Sequence, residues 1–347
     1  MGAASIGVVG ASGFGGIELL RLLARHPAAD VVVHAAAGSA GRRLGDLAPG
    51  LSAAAGADAV LVEPDVAGLA ALDLVMLATP DEVSLELAPM LVAAGARVVD
   101  LSGAFRLDAD AYAQWYGRTH TAPQHARDGA EPAAYGLTEW DRDAVAGAVL
   151  VANPGCYPTA ILLALRPLVG LVEPTGVVVS AVSGTSGAGR SVREDLQASV
   201  VLGDVVAYGA PSHRHTVEIE THLAPGAGAI AFTPHLVPVA RGMLVTASAV
   251  LRSGVGQAEV DAALADAYAA EPFVEVLPPG TFPRLKSVHG SNTCRLSAVV
   301  DPRAGRVLVS SAIDNLGKGA AGQAVQNANV MLGLDEGLGL SVDGVWP

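Results

Sequence analysis

The stretch Asn153-Pro-Gly-Cys-Tyr-Pro-Thr159 places a cysteine directly after a tight turn and just before an apolar run. Pro154 and Gly155 favour a turn that ends a strand, and the run from Thr159 to Leu165 predicts a helix. The sulfur of Cys156 is therefore expected at or near a helix N-terminus, where the macrodipole and backbone N–H groups stabilise a thiolate and, later, an oxyanion. This arrangement indicates an activated nucleophile rather than a buried structural thiol.

A second cluster of titratable groups, within Tyr208-Gly-Ala-Pro-Ser-His-Arg-His-Thr-Val-Glu-Ile-Glu220, supplies partners for such a thiol. A histidine can return the thiol proton to a leaving group or alkoxide, and Glu218 can orient its ring. The residue types alone leave open whether His213 or His215 does this. A metal site built from these three residues is not favoured, because a zinc enzyme offers a clearer three-ligand spacing and a reactive cysteine would compete for the ion.

The first predicted strand ends in a glycine-rich turn, Gly7-Val-Val-Gly-Ala-Ser-Gly-Phe-Gly-Gly-Ile17, which opens the first predicted helix. Gly10, Gly13 and Gly16 are spaced three apart in it. Side chains at such positions would keep the backbone away from a pyrophosphate lying on the helix N-terminus. A glycine-rich motif is weak evidence alone, but its place in a strand, turn, helix and strand order predicts a dinucleotide-binding site.

The end of the second predicted strand indicates which nicotinamide cofactor binds. A site that prefers NAD usually has an Asp or Glu there, on the ribose hydroxyls. This chain has Ala35-Ala-Ala-Gly-Ser-Ala-Gly-Arg-Arg43 instead, without a carboxylate. Because Ser39, Arg42 and Arg43 can hold a 2′-phosphate, the sequence favours NADP. The alternative interpretation is that the two arginines are simply solvated.

Two further segments are candidates for binding anions. Ser183-Gly-Thr-Ser-Gly-Ala-Gly-Arg190 has backbone N–H groups and hydroxyls that suit a phosphate or the nicotinamide ring. Arg106 comes just after a predicted parallel strand, at the end where doubly wound sheets bind ligands. Surface roles for these residues are the alternative.

The composition limits the classes of protein that fit this chain. With 347 residues, 51% of them hydrophobic, two domains are expected. A net charge of -13 argues against binding nucleic acid through a general basic surface, so an anionic substrate needs a local cluster of Arg or Lys. Cys156 and Cys294 lack the spacing of a zinc site or a disulfide framework, which fits a reducing cytoplasm. Neither a targeting segment nor a membrane span is predicted.

The order of the predicted elements indicates an α/β fold with two domains. In the first hundred residues, short β-branched runs alternate with helical patterns, which is typical of βαβ units in a parallel sheet. The later chain is strand-rich with one clear helix at Gln257 to Ala269, which predicts a second α+β domain with a mainly antiparallel sheet. The last helical pattern, Lys318 to Leu332, is expected to pack on the first domain. We therefore assign residues 1–150 and 316–347 to a Rossmann-like dinucleotide-binding domain and residues 151–315 to a catalytic and oligomerisation domain.

Together these motifs resemble the N-acetyl-gamma-glutamyl-phosphate reductase family, over nearly the whole chain. The active-site signature of that family is similar to Val151–Pro167 without an evident departure. Small departures are visible at Gly103 or Ala104, where the family often has Asp or Asn, and at Val217, where it often has Pro. Other segments that look like the family are the glycine-rich start, Asp100 to Arg106, Ser183 to Arg190, His213 to Glu220 and Asp314-Asn-Leu-Gly-Lys-Gly-Ala-Ala-Gly-Gln-Ala-Val-Gln-Asn327.

The resemblance implies a role for each matching residue. Cys156 would be the nucleophile, His215 the acid/base and Glu218 the residue that orients the imidazole. The substrate would bind to Arg106, Asn153, Arg190 and His213. The cofactor would bind to Gly10, Ser12, Gly13, Phe14 and Gly15 at its pyrophosphate, to Ser39 and Arg42 at its 2′-phosphate, and to Asn315 near its nicotinamide. Ser183, Gly184 and Gly187 are further candidates for binding the cofactor. No metal is expected.

The resemblance also implies a fold and a reaction. The fold is that of aspartate-semialdehyde dehydrogenase and glyceraldehyde-3-phosphate dehydrogenase. That reaction is the NADPH-dependent reductive dephosphorylation of N-acetyl-gamma-glutamyl phosphate through a thioester on Cys156, in arginine biosynthesis, with inorganic phosphate as product. The alternatives are a reductase of another acyl phosphate, such as an N-blocked aminoadipyl phosphate or aspartyl phosphate, and a non-catalytic NADP-binding sensor. A homodimer or homotetramer in the cytoplasm is expected, without a nucleic-acid or membrane partner.

Overall fold

The computed structural model describes residues 2–224 and 228–346. The strands of the described chain are β1 Ala4–Val9, β2 Ala29–Ala35, β3 Leu74–Leu77, β4 Val98–Asp100, β5 Ala134–Tyr135, β6 Leu150–Ala152, β7 Val178–Ser183, β8 Val206–Ala207, β9 Ala231–Leu236, β10 Met243–Val250, β11 Val274–Val276, β12 Cys294–Asp301 and β13 Arg306–Ile313. Its helices are α1 Phe14–Leu23, α2 Leu44–Leu47, α3 Val66–Ala70, α4 Asp81–Ala93, α5 Ala109–Tyr116, α6 Thr138–Gly147, α7 Cys156–Leu165, α8 Ala198–Val201, α9 Arg214–Leu223, α10 Gln257–Tyr268 and α11 Gly322–Met331.

The chain divides into two compact units. Unit 1 comprises Met1–Gly155 and Ala320–Leu340, and unit 2 comprises Cys156–Gly319 and Ser341–Pro347. The chain returns from unit 2 to unit 1 within a π-helical turn at Gly317–Ala321. Across the two described ranges, no helix is both long and apolar enough to cross a membrane.

Unit 1 contains a six-stranded parallel sheet in the order β2-β1-β3-β4-β6-β5. The strands β3, β4 and β6 are buried along their whole length, as expected for a parallel sheet covered on both faces, and this explains why all their residues are apolar except Asp100 at the end of β4. The helices α1 and α11 contribute Leu19, Leu20, Ala324 and Val325 to the same core. The sheet thus presents the turn after β1 and the ends of β3 and β4 on a rigid support.

Unit 2 contains a seven-stranded mixed sheet in the order β11-β12-β13-β10-β7-β9-β8. Four of its six strand pairs are antiparallel. The helix α7 packs against β10, β13 and α9. The residues of β10 alternate between buried and more accessible positions, because only one face of the sheet is covered by helices there. A parallel α/β unit and a mainly antiparallel α+β unit confirm the predicted fold class.

Two element boundaries differ from the sequence-based expectation. The helix α7 begins at Cys156, three residues before the predicted start, and includes Pro158. Proline is tolerated there because the first-turn N–H groups have no partner within the helix. The predicted helix Lys318 to Leu332 is instead the π-helical turn followed by α11.

Candidate active site

Cys156 is the first residue of α7 and the most accessible residue of that helix. The other nine residues of α7, Tyr157 to Leu165, are all buried, whereas Cys156 is half-buried. Two carbonyl groups of the helix accept hydrogen bonds from side chains. Ser311 Oγ donates to Ala160 O at 2.8 Å, and Tyr268 Oη donates to Leu163 O at 2.6 Å. A rigid buried helix therefore presents a single thiol at its positive end, which favours the thiolate.

Gly319 lies directly against the side chain of Cys156. A Cβ atom on Gly319 would be 2.9 Å from the Cβ atom of Cys156, closer than real side chains approach. The glycine belongs to the π-helical turn, and its N–H donates to Asp314 O at 2.9 Å. Single-turn π-helices are frequent at functional sites. Here the turn leaves the space that the cysteine side chain occupies.

The two predicted histidines lie together beside Tyr157, the residue after the cysteine. The ring centroid of Tyr157 is 5.6 Å from that of His213 and 5.8 Å from that of His215, and the two imidazoles are 4.9 Å apart. Tyr208 Oη and Tyr157 Oη are 3.0 Å apart. Among the residues that the structure describes, no group of three or more His, Cys, Asp or Glu is placed to hold a metal ion.

The environments of the two histidines differ. His213 is the N-cap of α9, and its Nδ1 accepts a hydrogen bond from the backbone N–H of His215 at 3.1 Å. With Nδ1 as acceptor, the proton of the neutral ring resides on Nε2. Burial, helped by the charge of Arg214, lowers the pKa of His213 to about 4. His213 is therefore a neutral hydrogen-bond donor at physiological pH.

Glu218 lies one turn after His215 on α9. Its side chain is 1% exposed, so it is among the buried charged residues of the chain. Residues three apart on a helix share a face, which brings a carboxylate to the same side of α9 as the His215 ring. The sequence identified this pair, although only the packing of α9 against α7 associates it with the cysteine-bearing helix.

The predicted loop Ser183 to Gly187 and Asn315 come together in unit 2. Asn315 Nδ2 donates to Ser186 Oγ at 3.0 Å, and its Oδ1 accepts from Gly242 N at 2.7 Å. Gly184 N–H donates to Gly242 O at 3.0 Å. These bonds make one hydrogen-bonded cluster out of three segments that are distant in sequence. Arg190, which follows the same loop, is exposed.

Arg241 and Asp314 were missed as functional candidates by the sequence reasoning. Arg241 Nη2 is 3.0 Å from Asp314 Oδ2, and Asp314 is fully buried. Asp314 also accepts from Gly290 N at 2.7 Å and from Leu316 N at 2.9 Å. The pair holds an arginine beside the Asn315 cluster. The only sequence signal was that Asp314 precedes Asn315 in a segment already identified.

The glycine-rich turn of unit 1 has the geometry of a phosphate cradle. Gly10 has a φ of 85°, and a Cβ there would be 2.2 Å from Ala78 O. A Cβ on Gly16 would be equally close to Gly10 O, so both glycines allow α1 to pack closely on the sheet. At Gly13 and Gly15 the chain leaves at least ordinary contact distance instead. Glycine at these two positions keeps the approach to the helix start open.

The start of α1 is suited to receive an anion. Its N-cap, Gly13, has no side chain to cap the helix, and Phe14 at the first helical position is 37% exposed. The half-buried Ser12 and Gly15 flank this point. The first-turn N–H groups therefore face the region where the sequence predicts the pyrophosphate. The residues present fit a dinucleotide.

The loop after β2 distinguishes the two arginines that the sequence left equivalent. Arg43 Nη2 is 2.6 Å from Asp58 Oδ1. In the described ranges, the exposed Arg42 side chain makes neither a hydrogen bond nor an ion pair, and its backbone N–H donates to Ser39 O at 3.2 Å. Ser39 and Arg42 are thus adjacent, and Arg42 is the arginine that is available to a ligand.

Arg106 and Asn153 are buried, and their polar atoms bind within unit 1. Arg106 donates through Nε to Asn153 O at 2.8 Å and through Nη2 to Leu101 O at 2.7 Å. Asn153 Nδ2 donates to Ala320 O at 3.2 Å, and its Oδ1 accepts from Asn327 Nδ2 at 3.0 Å. These bonds hold the chain in place just after β4 and β6. Because the side-chain amide of Asn153 is already bound within unit 1, the structure favours a positioning role for Asn153 over direct contact with the substrate.

A buried carboxylate sits at the end of β4. Asp100 accepts from Ser84 Oγ and from Ser102 Oγ, each at 2.6 Å. Burial raises the pKa of Asp100 to about 6, although hydrogen bonds from Ser102 and Ser84 and the charge of Arg106 act in the opposite direction. The folded state thus favours the protonated carboxyl more than the unfolded chain does.

We expect this carboxyl to make unfolding depend on pH. Between about pH 4 and 6 the folded state binds the Asp100 proton more strongly than the unfolded state, so its contribution to stability is lost as the pH rises through this range. Urea unfolding of wild type and Asp100→Asn should show a difference in unfolding free energy that changes between pH 4 and 6 and is constant above pH 7. Asp65→Asn, an exposed helix cap, is the matched control. An unchanged pH slope in Asp100→Asn would contradict the assignment.

Comparisons with known proteins place both units in one class. Residues 5–148 match the family model of the semialdehyde dehydrogenase NAD binding domain, and residues 156–315 match that of the semialdehyde dehydrogenase dimerisation domain. Aspartate semialdehyde dehydrogenase II of Vibrio cholerae, complexed with ASA, has the same fold, with a TM-score of 0.71 at 18% identity over 96% of this chain and 99% of that one. Aspartate semialdehyde dehydrogenase of Candida albicans, whose structure contains NADP, has a TM-score of 0.70 at 18% identity over 95% of this chain and 98% of that one. The chain is an enzyme of the semialdehyde dehydrogenase class with an NAD(P)-binding domain.

Full-length relatives narrow this class to one family. The N-acetyl-gamma-glutamyl-phosphate reductase of Alkalilimnicola ehrlichii is 48% identical over 99% of this chain and 99% of its own length. That of Salinispora arenicola is 49% identical over the same shares. The chain belongs to the N-acetyl-gamma-glutamyl-phosphate reductase family.

Proposed function

We propose that this chain reduces N-acetyl-gamma-glutamyl phosphate to N-acetylglutamate 5-semialdehyde with NADPH and releases inorganic phosphate, as a step of arginine biosynthesis. The observation that carries the proposal is the half-buried Cys156 at the start of α7, followed by Tyr157 whose ring contacts two histidines, in a chain 48% identical to such a reductase along its whole length. The enzyme would act in the cytoplasm as a homodimer or homotetramer.

In the proposed reaction, Cys156 first becomes covalently attached to the substrate. His215 takes the thiol proton, and the thiolate attacks the acyl carbon. Backbone N–H groups at the start of α7 stabilise the negative charge on the substrate oxygen. The carbon–oxygen bond to phosphate breaks, inorganic phosphate leaves, and a thioester remains on Cys156.

The thioester is then reduced and released. When bound, NADPH supplies the hydride for the thioester carbon. Cys156 leaves the resulting tetrahedral carbon as a thiolate, and His215 returns the proton to the sulfur. Glu218 orients the His215 ring, while the neutral His213 donates a hydrogen bond from Nε2 to the substrate. A thiol suits this role because a thioester accepts hydride far better than an oxygen ester does.

The remaining proposed contacts concern phosphate and carboxylate groups. Arg106 and Arg190 are the candidates for the anionic groups of the substrate, and Asn153 holds the strand end that bears Arg106's acceptor. On the cofactor side, the turn from Gly10 to Gly15 binds the pyrophosphate and Ser39 with Arg42 binds the 2′-phosphate. Ser183, Gly184, Gly187 and Asn315 form the cluster proposed for the nicotinamide.

The choice of NADP over NAD can be tested with a matched pair of arginines. Arg42→Ala is expected to raise the KM for NADPH by roughly 10- to 100-fold, the cost of one or two charge-assisted hydrogen bonds, and to leave the KM for NADH unchanged. Arg43→Ala is the control, because Asp58 already holds that side chain. Steady-state kinetics with both cofactors measure this. An equal effect of Arg42→Ala on NADPH and NADH would contradict a 2′-phosphate contact.

The experiment that tests the proposed reaction is phosphate-dependent reduction of NADP with N-acetylglutamate semialdehyde. Aspartate semialdehyde and an N-blocked aminoadipate semialdehyde, assayed in parallel, compare the alternative substrates. Activity that requires the N-acetyl substrate and phosphate supports the proposal. Preference for another semialdehyde would change the substrate, and the absence of activity with all three, despite NADP binding, would favour a binding protein.

A further inference from the structure

One end of the unit 2 sheet brings together segments that are distant in sequence. In the register of the sheet, Met243 at the start of β10 pairs with Ser183 at the end of β7 and with Ile313 at the end of β13. Ser183 also pairs with Leu236, at the end of β9. The residues that follow β7, β9 and β13 and those that precede β10 therefore meet at this end, here named the Ser183 end.

The candidate nucleophile lies at the Ser183 end as well. A Cβ atom on Gly319 would be 3.2 Å from Ile313 Cδ1 and 2.9 Å from the Cβ atom of Cys156. Gly319 is thus packed against the last residue of β13 on one side and against the cysteine side chain on the other. Groups that leave the Ser183 end are neighbours of the candidate reaction centre within unit 2.

Arg241 lies just before β10, and the buried Asp314 orients its side chain. Arg241 Nε donates to Asp314 Oδ1 at 3.2 Å, and Nη2 is 3.0 Å from each carboxylate oxygen. The carboxylate also accepts hydrogen bonds from the backbone N–H groups of Gly290, Leu316 and Gly317, at 2.7 to 3.1 Å. A carboxylate bound in this way holds the planar guanidinium in one orientation.

The backbone on both sides of Arg241 is fixed too. Ser186 N donates to Ala240 O at 3.1 Å, and Gly242 N donates to Asn315 Oδ1 at 2.7 Å. The residues before and after Arg241 are therefore bonded to the cluster that we propose for the nicotinamide. This places the arginine beside the site of hydride transfer in the proposed reaction.

The guanidinium of Arg241 can bind more than Asp314. It carries several N–H donors in one plane, and 28% of the side chain is exposed, whereas Asp314 is fully buried. Burial of a carboxylate costs desolvation energy that an ion pair seldom recovers, so the pair favours a role in binding over a role in stability. The planar fork of an arginine matches a carboxylate or a phosphate group.

We propose that Arg241 binds an anionic group of the substrate, its carboxylate or its phosphate, and that Asp314 positions the guanidinium for this contact. The inference rests on the proposed function and adds a residue that recognises the charge of the substrate. An acidic chain, with a net charge of -13, needs such a local cation. Among the arginines proposed above, Arg106 donates to two backbone carbonyls and Arg190 is exposed, whereas a buried carboxylate fixes Arg241.

Two variants remove the planar fork without leaving Asp314 as an unpaired buried charge. Arg241→Lys keeps a positive charge beside the carboxylate but loses the bidentate geometry. Arg241→Met combined with Asp314→Asn removes both charges together. Each variant is expected to raise one substrate KM by about 10- to 100-fold, the cost of one or two charge-assisted hydrogen bonds, and to leave kcat and the KM for NADP near wild type.

The matched control is Arg252→Lys. Arg252 follows the other end of β10 and donates to Val172 O at 2.9 Å, so its substitution should leave every KM unchanged. Thermal melting checks the folding of all variants. Loss of kcat and of NADP binding together in both Arg241 variants would show a structural role and overturn the inference.

The kinetics of phosphate-dependent NADP reduction identify the group that Arg241 binds. A raised KM for N-acetylglutamate semialdehyde assigns Arg241 to the carboxylate, and a raised KM for inorganic phosphate assigns it to the phosphate. Wild-type values of both KMs in the two Arg241 variants would overturn the inference and leave the proposed reaction intact.

A binding measurement separates this inference from the proposed reaction. Inorganic phosphate or N-acetylglutamate should slow the labelling of Cys156 by iodoacetamide in the wild type, and a higher concentration of the same anion should be needed in Arg241→Lys. Such a difference in a protein that is inactive with every semialdehyde would overturn the proposed reaction and support the inference. Equal protection in the two proteins, or no protection in an inactive wild type, would overturn the inference.

Discussion

Replacing Cys156 with alanine is expected to abolish acyl-phosphate reduction and leave cofactor binding unchanged. The loss in kcat/KM should be on the order of 10⁴-fold or more, because no thioester can form without the sulfur. The Kd for NADP should stay at the wild-type value, since the residues proposed to hold its phosphates lie in the turn before α1 and in the loop after β2. Phosphate-dependent NADP reduction and equilibrium titration of NADP measure the two effects.

The second cysteine is the control for this prediction. Cys294 is fully buried in β12, so Cys294→Ala is expected to retain activity. Iodoacetamide at neutral pH should label Cys156 much faster than Cys294, because fast alkylation requires an accessible thiolate. Turnover by the Cys156→Ala protein would assign the nucleophile to another residue. A folded Cys156→Ala protein that had lost NADP binding would show that the two sets of residues had been assigned wrongly.

Substitution of the two histidines by asparagine is expected to separate their roles. His215→Asn should lower kcat by about 10²- to 10⁴-fold, the usual contribution of a general acid or base. His213→Asn should mainly raise KM, because a ring with a pKa of about 4 is only about 0.1% protonated at pH 7 and is a poor proton donor. Asparagine remains a good N-cap, so this substitution preserves the start of α9.

The pH dependence of kcat/KM provides a readout that a loss of structure would not reproduce. The acid limb should disappear in His215→Asn and persist in His213→Asn, because His213 does not titrate near neutral pH. Full pH profiles of both variants, with thermal melting as the folding control, measure this. A lost acid limb in His213→Asn, with a normal limb in His215→Asn, would reverse the assignment.

The roles of the two histidines could not be distinguished from the sequence. His213 and His215 are of the same residue type and lie two positions apart, so composition and spacing could not assign the acid/base. In the structure, burial lowers the pKa of the His213 ring, and its Nδ1 accepts a hydrogen bond from the backbone N–H of His215. Both depend on how α9 packs in unit 2. The burial of Glu218, on the same helix, depends on the same packing.

The hydrogen bond between the side-chain amides of Asn153 and Asn327 is a second feature that the sequence could not predict. Their side chains meet at 3.0 Å although they are 174 positions apart in the sequence. The residue types at these positions gave no sign of that pairing. Asn153 was predicted to bind substrate, and in the structure its amide is engaged with Asn327 and Ala320. Its role in substrate binding stays a prediction, to which the structure adds a positioning role.

The sequence by itself determined those features that depend on a few neighbouring residues. The turn formed by Pro154 and Gly155 starts a helix near Cys156, and the glycines after β1 start another, because turn preferences and apolar periodicity act over a few residues. The alternation of strands and helices likewise predicted the fold class, which is confirmed. Tertiary structure alone decided that His213 is neutral at physiological pH and that Arg43, of the two arginines after β2, is held by Asp58. These properties depend on burial and on partners from distant parts of the chain, which no local pattern encodes.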